Sequence, residues 1–122
     1  LWPPSPHRNA AITAVAADPI DWARFLKVAK RHRVQGLVWN GLSQAGIKTP
    51  PGIAEHLKAE SDKTTRESLI NCAETIRLQR LFDQGGCKSA FVKGATLAVL
   101  GYGNCAIRHA KDIDMIVPEA HL

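Results

Sequence analysis

The sequence predicts an α+β fold in which a helical region precedes a strand, a helix and a second strand. Three observations carry this. Apolar residues recur at helical spacing from Trp22 to Ala45 and again from Leu69 to Ile76, Gly85-Gly86 interrupts the pattern, and two short apolar runs, Ala90-Phe91-Val92 and Asp112-Ile113-Asp114-Met115-Ile116-Val117, follow it. The expected organisation is a helical region over 1–84 and an α/β portion over 88–122, packed as one compact unit.

Asp18-Pro19 supplies a cap and a first-turn proline, and Trp22, Phe25, Leu26 and Ala29 recur at i, i+3, i+4 and i+7, predicting a helix over 19–32. Leu37, Val38, Gly41, Leu42 and Ala45 continue as a second helix that Gly46 stops in a left-handed cap. Lys48-Thr49-Pro50-Pro51-Gly52 is a connecting loop. No Gly or Pro interrupts residues 53–82, so the longest helix is expected there. Its opening turns are polar apart from Ile53 and Leu57, whereas beyond Leu69 apolar residues occupy more than one face and predict deeper burial.

After the first strand, Lys93-Gly94 punctuates the chain and residues 95–100 read as a short helix. Gly101, Gly103 and Asn104 form a loop, and Pro118 stops the strand expected over 112–117.

At 122 residues, 45% hydrophobic and 22% charged, the chain has the size and composition of one ordinary domain with no low-complexity stretch. It opens on Leu1 rather than Met and stops at Leu122, five residues past the last apolar run, so it reads as a fragment. The opening Leu1-Trp2-Pro3-Pro4-Ser5-Pro6 has neither the basic start of a signal peptide nor the length of a membrane span. No membrane partner is expected, and cytoplasmic placement follows.

Cys72, Cys87 and Cys105 are odd in number and widely spaced, which predicts reduced thiols rather than a disulfide framework or a Cys-x-x-Cys site. The histidines show no zinc spacing, so any metal should be a hard cation held by oxygen. Lys and Arg exceed Asp and Glu, 16 against 11, which favours anionic partners. The densest cluster, Arg24, Lys27, Lys30, Arg31 and Arg33, reads as the solvated face of an amphipathic helix.

On a strand, Asp112 and Asp114 would project from one face, with Ile113, Met115 and Val117 on the other. Their Cα atoms would stand roughly 6.5 Å apart at about 3.3 Å per residue. Two carboxylates so placed can share Mg²⁺ or hold two ions about 3.5–4 Å apart, the arrangement that stabilises attacking and leaving oxygens in phosphoryl transfer. Phe91-Val92-Lys93-Gly94-Ala95-Thr96-Leu97 reads as strand, tight turn and helix start. Glycine lets backbone approach a phosphate, the free N–H groups of the first turn point at it, and Lys93 adds positive charge. The bland alternative is that Gly94 merely turns the chain and Lys93 is a surface lysine.

Together these elements resemble the polymerase-beta-like nucleotidyltransferase superfamily, whose pattern is an apolar strand, a glycine turn opening a helix, and a strand carrying Asp-x-Asp. The uncharacterised nucleotidyltransferases of that superfamily look closer still, matched by Lys93, Gly94, Leu97, Tyr102, Arg108, Asp112 and Asp114, with a helical region ahead of the motif. The resemblance covers Trp22 to Val117 and implies the first strand-helix-strand of a nucleotidyltransferase palm, its sheet incomplete.

It further implies catalytic and metal-ligating roles for Asp112 and Asp114, with Mg²⁺ or Mn²⁺ as cofactor. Nucleotide contact falls to Lys93, Gly94, Ala95 and Arg108. The implied reaction transfers a nucleoside monophosphate from a nucleoside triphosphate to an unknown acceptor hydroxyl. Ala95 stands where the family has serine, with Lys93 or Thr96 as substitutes, and the gap from the turn to Asp112 is longer than in the best-known members. A third carboxylate, needed for turnover, would lie past Leu122, so the chain by itself is expected to be inactive and to dimerise through an exposed sheet edge. Arg108 reaches a phosphate or pairs with Asp112, both readings standing equal. His109 reads as a loop residue and Tyr102 as a packing residue. Two other functions stand beside this one: a non-catalytic nucleotide- or partner-binding module of the same fold, and a basic helical piece that binds nucleic acid.

Overall fold

The computed structural model describes residues 3–121; Leu1, Trp2 and Leu122, on which the reading of the chain ends rests, lie outside them. The fold is α+β and mostly helical, with one open two-stranded sheet. In order the elements are α1 (Pro6–Ala16), α2 (Trp22–Arg31), α3 (Gln35–Gln44), α4 (Ile53–Gln84), β1 (Ala90–Val92), α5 (Gly94–Tyr102), β2 (Asp114–Ile116) and a 3₁₀ turn over Glu119–His121. Backbone contacts group the chain into two compact units, Leu1–Thr64 and Thr65–Leu122. The helix α4 runs from the first into the second.

In the first unit α3 packs against both α1 and α2. The approach of α1 is close at Gly41, where an added Cβ would stand 3.2 Å from Ile12 Cδ1. Ala29, Leu42 and Leu57 form the buried apolar centre. Arg8 is buried too, and its guanidinium donates to Asn40 Oδ1 at 3.3 Å and to Gln44 Oε1 at 3.2 Å. A buried cation is tolerated only with such partners. Trp22 and Phe25 meet edge to face with ring centroids 5.4 Å apart. Arg24, Lys27, Lys30 and Arg31 all lie exposed on α2, and Arg33 follows the helix with φ 56°.

The sequence did not disclose α1. Ser5 caps it by accepting from Arg8 N at 3.1 Å, with Pro6 in the first turn. The start of α2 also differs from expectation: Asp21, not Asp18, is its cap, accepting from Arg24 N at 3.0 Å. The left-handed residue after α3 is Gly46, φ 65°, as expected.

In the second unit β1 and β2 run antiparallel, with Ala90 opposite Ile116, Phe91 opposite Met115 and Val92 opposite Asp114. The second strand is three residues long rather than the six expected over 112–117, and Asp112 precedes it in a bend. Register explains the shortening at its start. Asp112 would have to pair with Gly94, where the chain has already turned into α5 with φ 43°. No ladder partner remains for it.

The burial expected beyond Leu69 is met only in part: Cys72, Leu78 and Phe82 are half-buried, but Leu69, Ile70, Ile76 and Leu81 are exposed by about half or more. The covered face of α4 in this unit is polar instead. Thr65 Oγ1 reaches the carbonyl of Ala106 at 3.5 Å, Ser68 Oγ donates to that of Arg108 at 2.9 Å, and the Asn71 amide donates to that of Ala110. The segment between α5 and β2 is irregular, so its carbonyls need donors from elsewhere. Small polar side chains on α4 supply them, while Leu69, Ile70, Ile76 and Leu81 face outward and Cys72, Leu78 and Phe82 are half-buried.

Candidate active site

The turn between β1 and α5 is held in a backbone shape that few residues adopt. Lys93 has φ 59° and ψ −151°, a region populated almost entirely by glycine, and Gly94 follows at φ 43°. Each such non-glycine residue costs about 1–3 kcal/mol and persists only where its surroundings impose it. The consequence here is directional. Two successive positive φ values swing the chain from β1 into α5 within one residue, and Lys93 O then accepts from Leu97 N at 2.9 Å, starting the helix. The free N–H groups of the first turn of α5 therefore begin at Gly94, the residue after Lys93.

Glycine at 94 is required twice over. Besides its positive φ, a Cβ there would stand 3.3 Å from Asp112 O and 3.9 Å from Ala110 Cβ. The segment that leads into β2 thus rests on the turn itself. Lys93, Gly94, Ala95, Asp112 and Asp114 line one narrow cleft. Five of the six residues singled out in the sequence come together, though Asp112 arrives by its contact with the turn and not by strand alternation. Thr96 lines the same cleft and offers a hydroxyl one residue after Ala95. Arg108 is not among the lining residues; it is half-buried on the irregular segment.

The lysine and the carboxylates carry opposite charges at close range. Lys93 Nζ lies 3.7 Å from Asp114 Oδ2, with the lysine largely exposed and the aspartate about half so, and such a solvated pair adds little stability and is easily exchanged for another partner. The cleft encloses about 10 Å³, the room of a single water, so a nucleotide would lie across its mouth and not within it. A much larger groove of about 410 Å³ exists in the first unit, but Ile12, Val15, Phe25, Leu37 and Leu42 make it apolar. Its lining offers no charged or polar group to a phosphate.

Sequence reasoning missed two members of this site. Asn71 and Thr75 of α4 line the cleft as well, with Thr75 Oγ1 donating to Asn71 O at 2.7 Å. Their signal was present as Thr65, Ser68, Asn71 and Thr75, small polar residues at intervals of three, three and four on one helix face. His109 is a loop residue whose Nδ1 lies 3.6 Å from Glu67 Oε2, and Tyr102 is half-buried at the end of α5. Cys72, Cys87 and Cys105 are free thiols; burial pushes the Cys72 thiol up, and its hydrogen-bond contact with Cys105 adds to the shift. Among the described residues no group of three or more His, Cys, Asp or Glu is placed to hold a metal ion, and no helix is long and apolar enough to cross a membrane.

A family profile described as uncharacterised nucleotidyltransferase matches residues 18–122, which takes in all of α2 to β2 and every residue of the cleft. The chain belongs to that family. No curated protein and no solved structure matches the chain. Membership makes a nucleotide the substrate class of this nucleotidyltransferase-like protein.

Proposed function

We propose that this family member binds a nucleoside triphosphate with Mg²⁺ or Mn²⁺ at the cleft and transfers the nucleoside monophosphate to an acceptor hydroxyl, with pyrophosphate leaving. The observation that carries the reading is the convergence of the Lys93-Gly94-Ala95 turn and both carboxylates, Asp112 and Asp114, on one cleft at the start of α5. The donor set suits a hard cation. Mg²⁺ is commonly held by one or two carboxylates plus substrate phosphates and waters, and two carboxylates with an easily displaced lysine partner fit that pattern.

Asp112 and Asp114 would hold the ion, whose contribution when bound is to neutralise the negative charge of the phosphates. The N–H groups of Gly94 and Ala95 and the Lys93 ammonium would hold the phosphate oxygens, with the Thr96 hydroxyl in place of the serine that the family carries after its glycine. Arg108, four residues before Asp112, is the remaining candidate for phosphate contact from outside the lining. The residues of the chain thus position and neutralise, which is the main demand of phosphoryl transfer.

Nucleotide binding without transfer is a second reading, favoured by one observation: Asp112 and Asp114 are the only carboxylates lining the cleft among the described residues. Pyrophosphate release measured alongside binding separates the two. Self-association through the open sheet edges belongs to the same proposal, since Ile116 of β2 is 60% exposed.

The test compares two lysines of equal charge. Lys93→Ala is expected to weaken nucleotide binding about 10-fold, in line with loss of one charge-assisted contact of roughly 1.5 kcal/mol. Lys88→Ala, on the exposed approach to β1, should leave it within a factor of two of wild type. Equal weakening by both in a calorimetric titration would mean that the turn has no special role in binding.

A further inference from the structure

The acidic pair depends on a helix that carries none of its charge. From Asn104 to Ile113 the chain has no strand partner, and three of its carbonyls are met by side chains of α4 about 40 residues earlier in sequence. Ser68 is wholly buried, with its hydroxyl on the carbonyl of Arg108. Asn71 holds the carbonyl of Ala110, the residue whose side chain packs beside Gly94 and which stands two positions before Asp112. Asn71 itself is half-buried and lines the cleft together with Gly94 and Asp112.

We infer that Asn71 is a positioning residue for the metal-nucleotide site: its amide fixes the backbone at Ala110 against the Lys93-Gly94 turn and so sets where Asp112 stands relative to Asp114. The inference rests on the nucleotide-binding reading above. Asp114 has an independent anchor, because β2 pairs it with Val92 of β1. Asp112 has none in the sheet. Loss of the Asn71 amide leaves the carbonyl of Ala110, a residue 6% exposed, without its donor, and the backbone must shift toward water to recover one. Asp112 moves with it while Asp114 stays. Ser68 acts likewise at Arg108, two residues further from Asp112, and its effect on that carboxylate is correspondingly weaker.

The difference between the two carboxylates makes the inference testable. Mn²⁺ with ATP is titrated into protein carrying ¹³C at the aspartate carboxyls, and the paramagnetic broadening of Asp112 and Asp114 is followed separately. In the wild type both should broaden together. In Asn71→Ala the apparent dissociation constant should rise about 10-fold, the lower end of the effect of removing a group that orients a metal ligand. At saturation Asp114 should broaden as in the wild type, whereas the broadening of Asp112, which falls steeply with distance from the ion, should be clearly smaller than in the wild type. A merely structural loss would move both signals alike. If Asn71→Ala fails to fold, Asn71→Leu, which keeps the volume without the donor, is read in its place. Wild-type affinity with both aspartates broadening to the wild-type extent in the Asn71 variant would overturn the inference alone. A wild-type protein with no response that Asp112→Asn/Asp114→Asn removes would overturn the nucleotide-binding reading and this inference with it.

Discussion

Replacing Asp112 and Asp114 together by asparagine is expected to lower affinity for Mn²⁺ with ATP by about 100-fold or more, since loss of groups that merely orient metal ligands already costs about 10–100-fold. Both side chains reach the cleft, and asparagine keeps their size while removing the two negative charges that a hard cation requires. Fold stability should hardly change. The ion pair with Lys93 is exposed and weak, and Asp112 lies outside the strand ladder. The check is a calorimetric titration beside a thermal melt. A double variant that binds like wild type would remove the carboxylates from the site, whereas one that melts far lower would assign them a structural role.

Gly94→Ala should produce the largest loss of stability for its size. The left-handed backbone alone costs an alanine about 1–2 kcal/mol. Its new methyl would also press on the carbonyl of Asp112 at 3.3 Å, which is backbone and has little freedom to yield. We expect a destabilisation of about 2–3 kcal/mol, with nucleotide binding lost at the same time because the turn must open. Gly101→Ala is the matched control. It lies inside α5 with nothing near its added Cβ, so alanine there should stabilise by up to about 1 kcal/mol through helix propensity. Denaturant melts of the two variants should therefore move in opposite directions. Similar shifts for both would mean that the turn is less constrained than its geometry implies.

Much of the architecture is legible because it is local. Trp22, Phe25, Leu26 and Ala29 announce α2, Gly46 its successor's end, and Gly85-Gly86 the end of α4, each through a rule that operates within a few residues. The errors arise where a distant segment decides. Composition assigns Asp112 to a strand, but its would-be partner is Gly94, already committed to a turn. Periodicity places Leu69 and Ile76 inside, but the face of α4 that is covered meets bare backbone carbonyls and so selects Ser68 and Asn71. The missed helix α1 has a different cause. Its alanines are spread around the helix with little amphipathic pattern, and only Ser5-Pro6 marks its start. In the site, Lys93, Gly94, Asp112 and Asp114 are readable as motif residues, whereas Asn71 and Thr75 become visible once α4 and the cleft are placed together.

The hydrogen bonds from α4 to the segment before β2 also set an order of assembly. They join residues 41, 40 and 39 positions apart, so none can form until a chain loop of that length has closed. Helices form within microseconds from neighbouring residues, while such closure must spend chain entropy before any contact rewards it. During refolding, α4 and α5 therefore appear first and the cleft last. Warming reverses the sequence: amide exchange should open residues 106–112 at a lower free energy than the middle of α4, and the capacity to bind should fade while most of the helical signal is still intact.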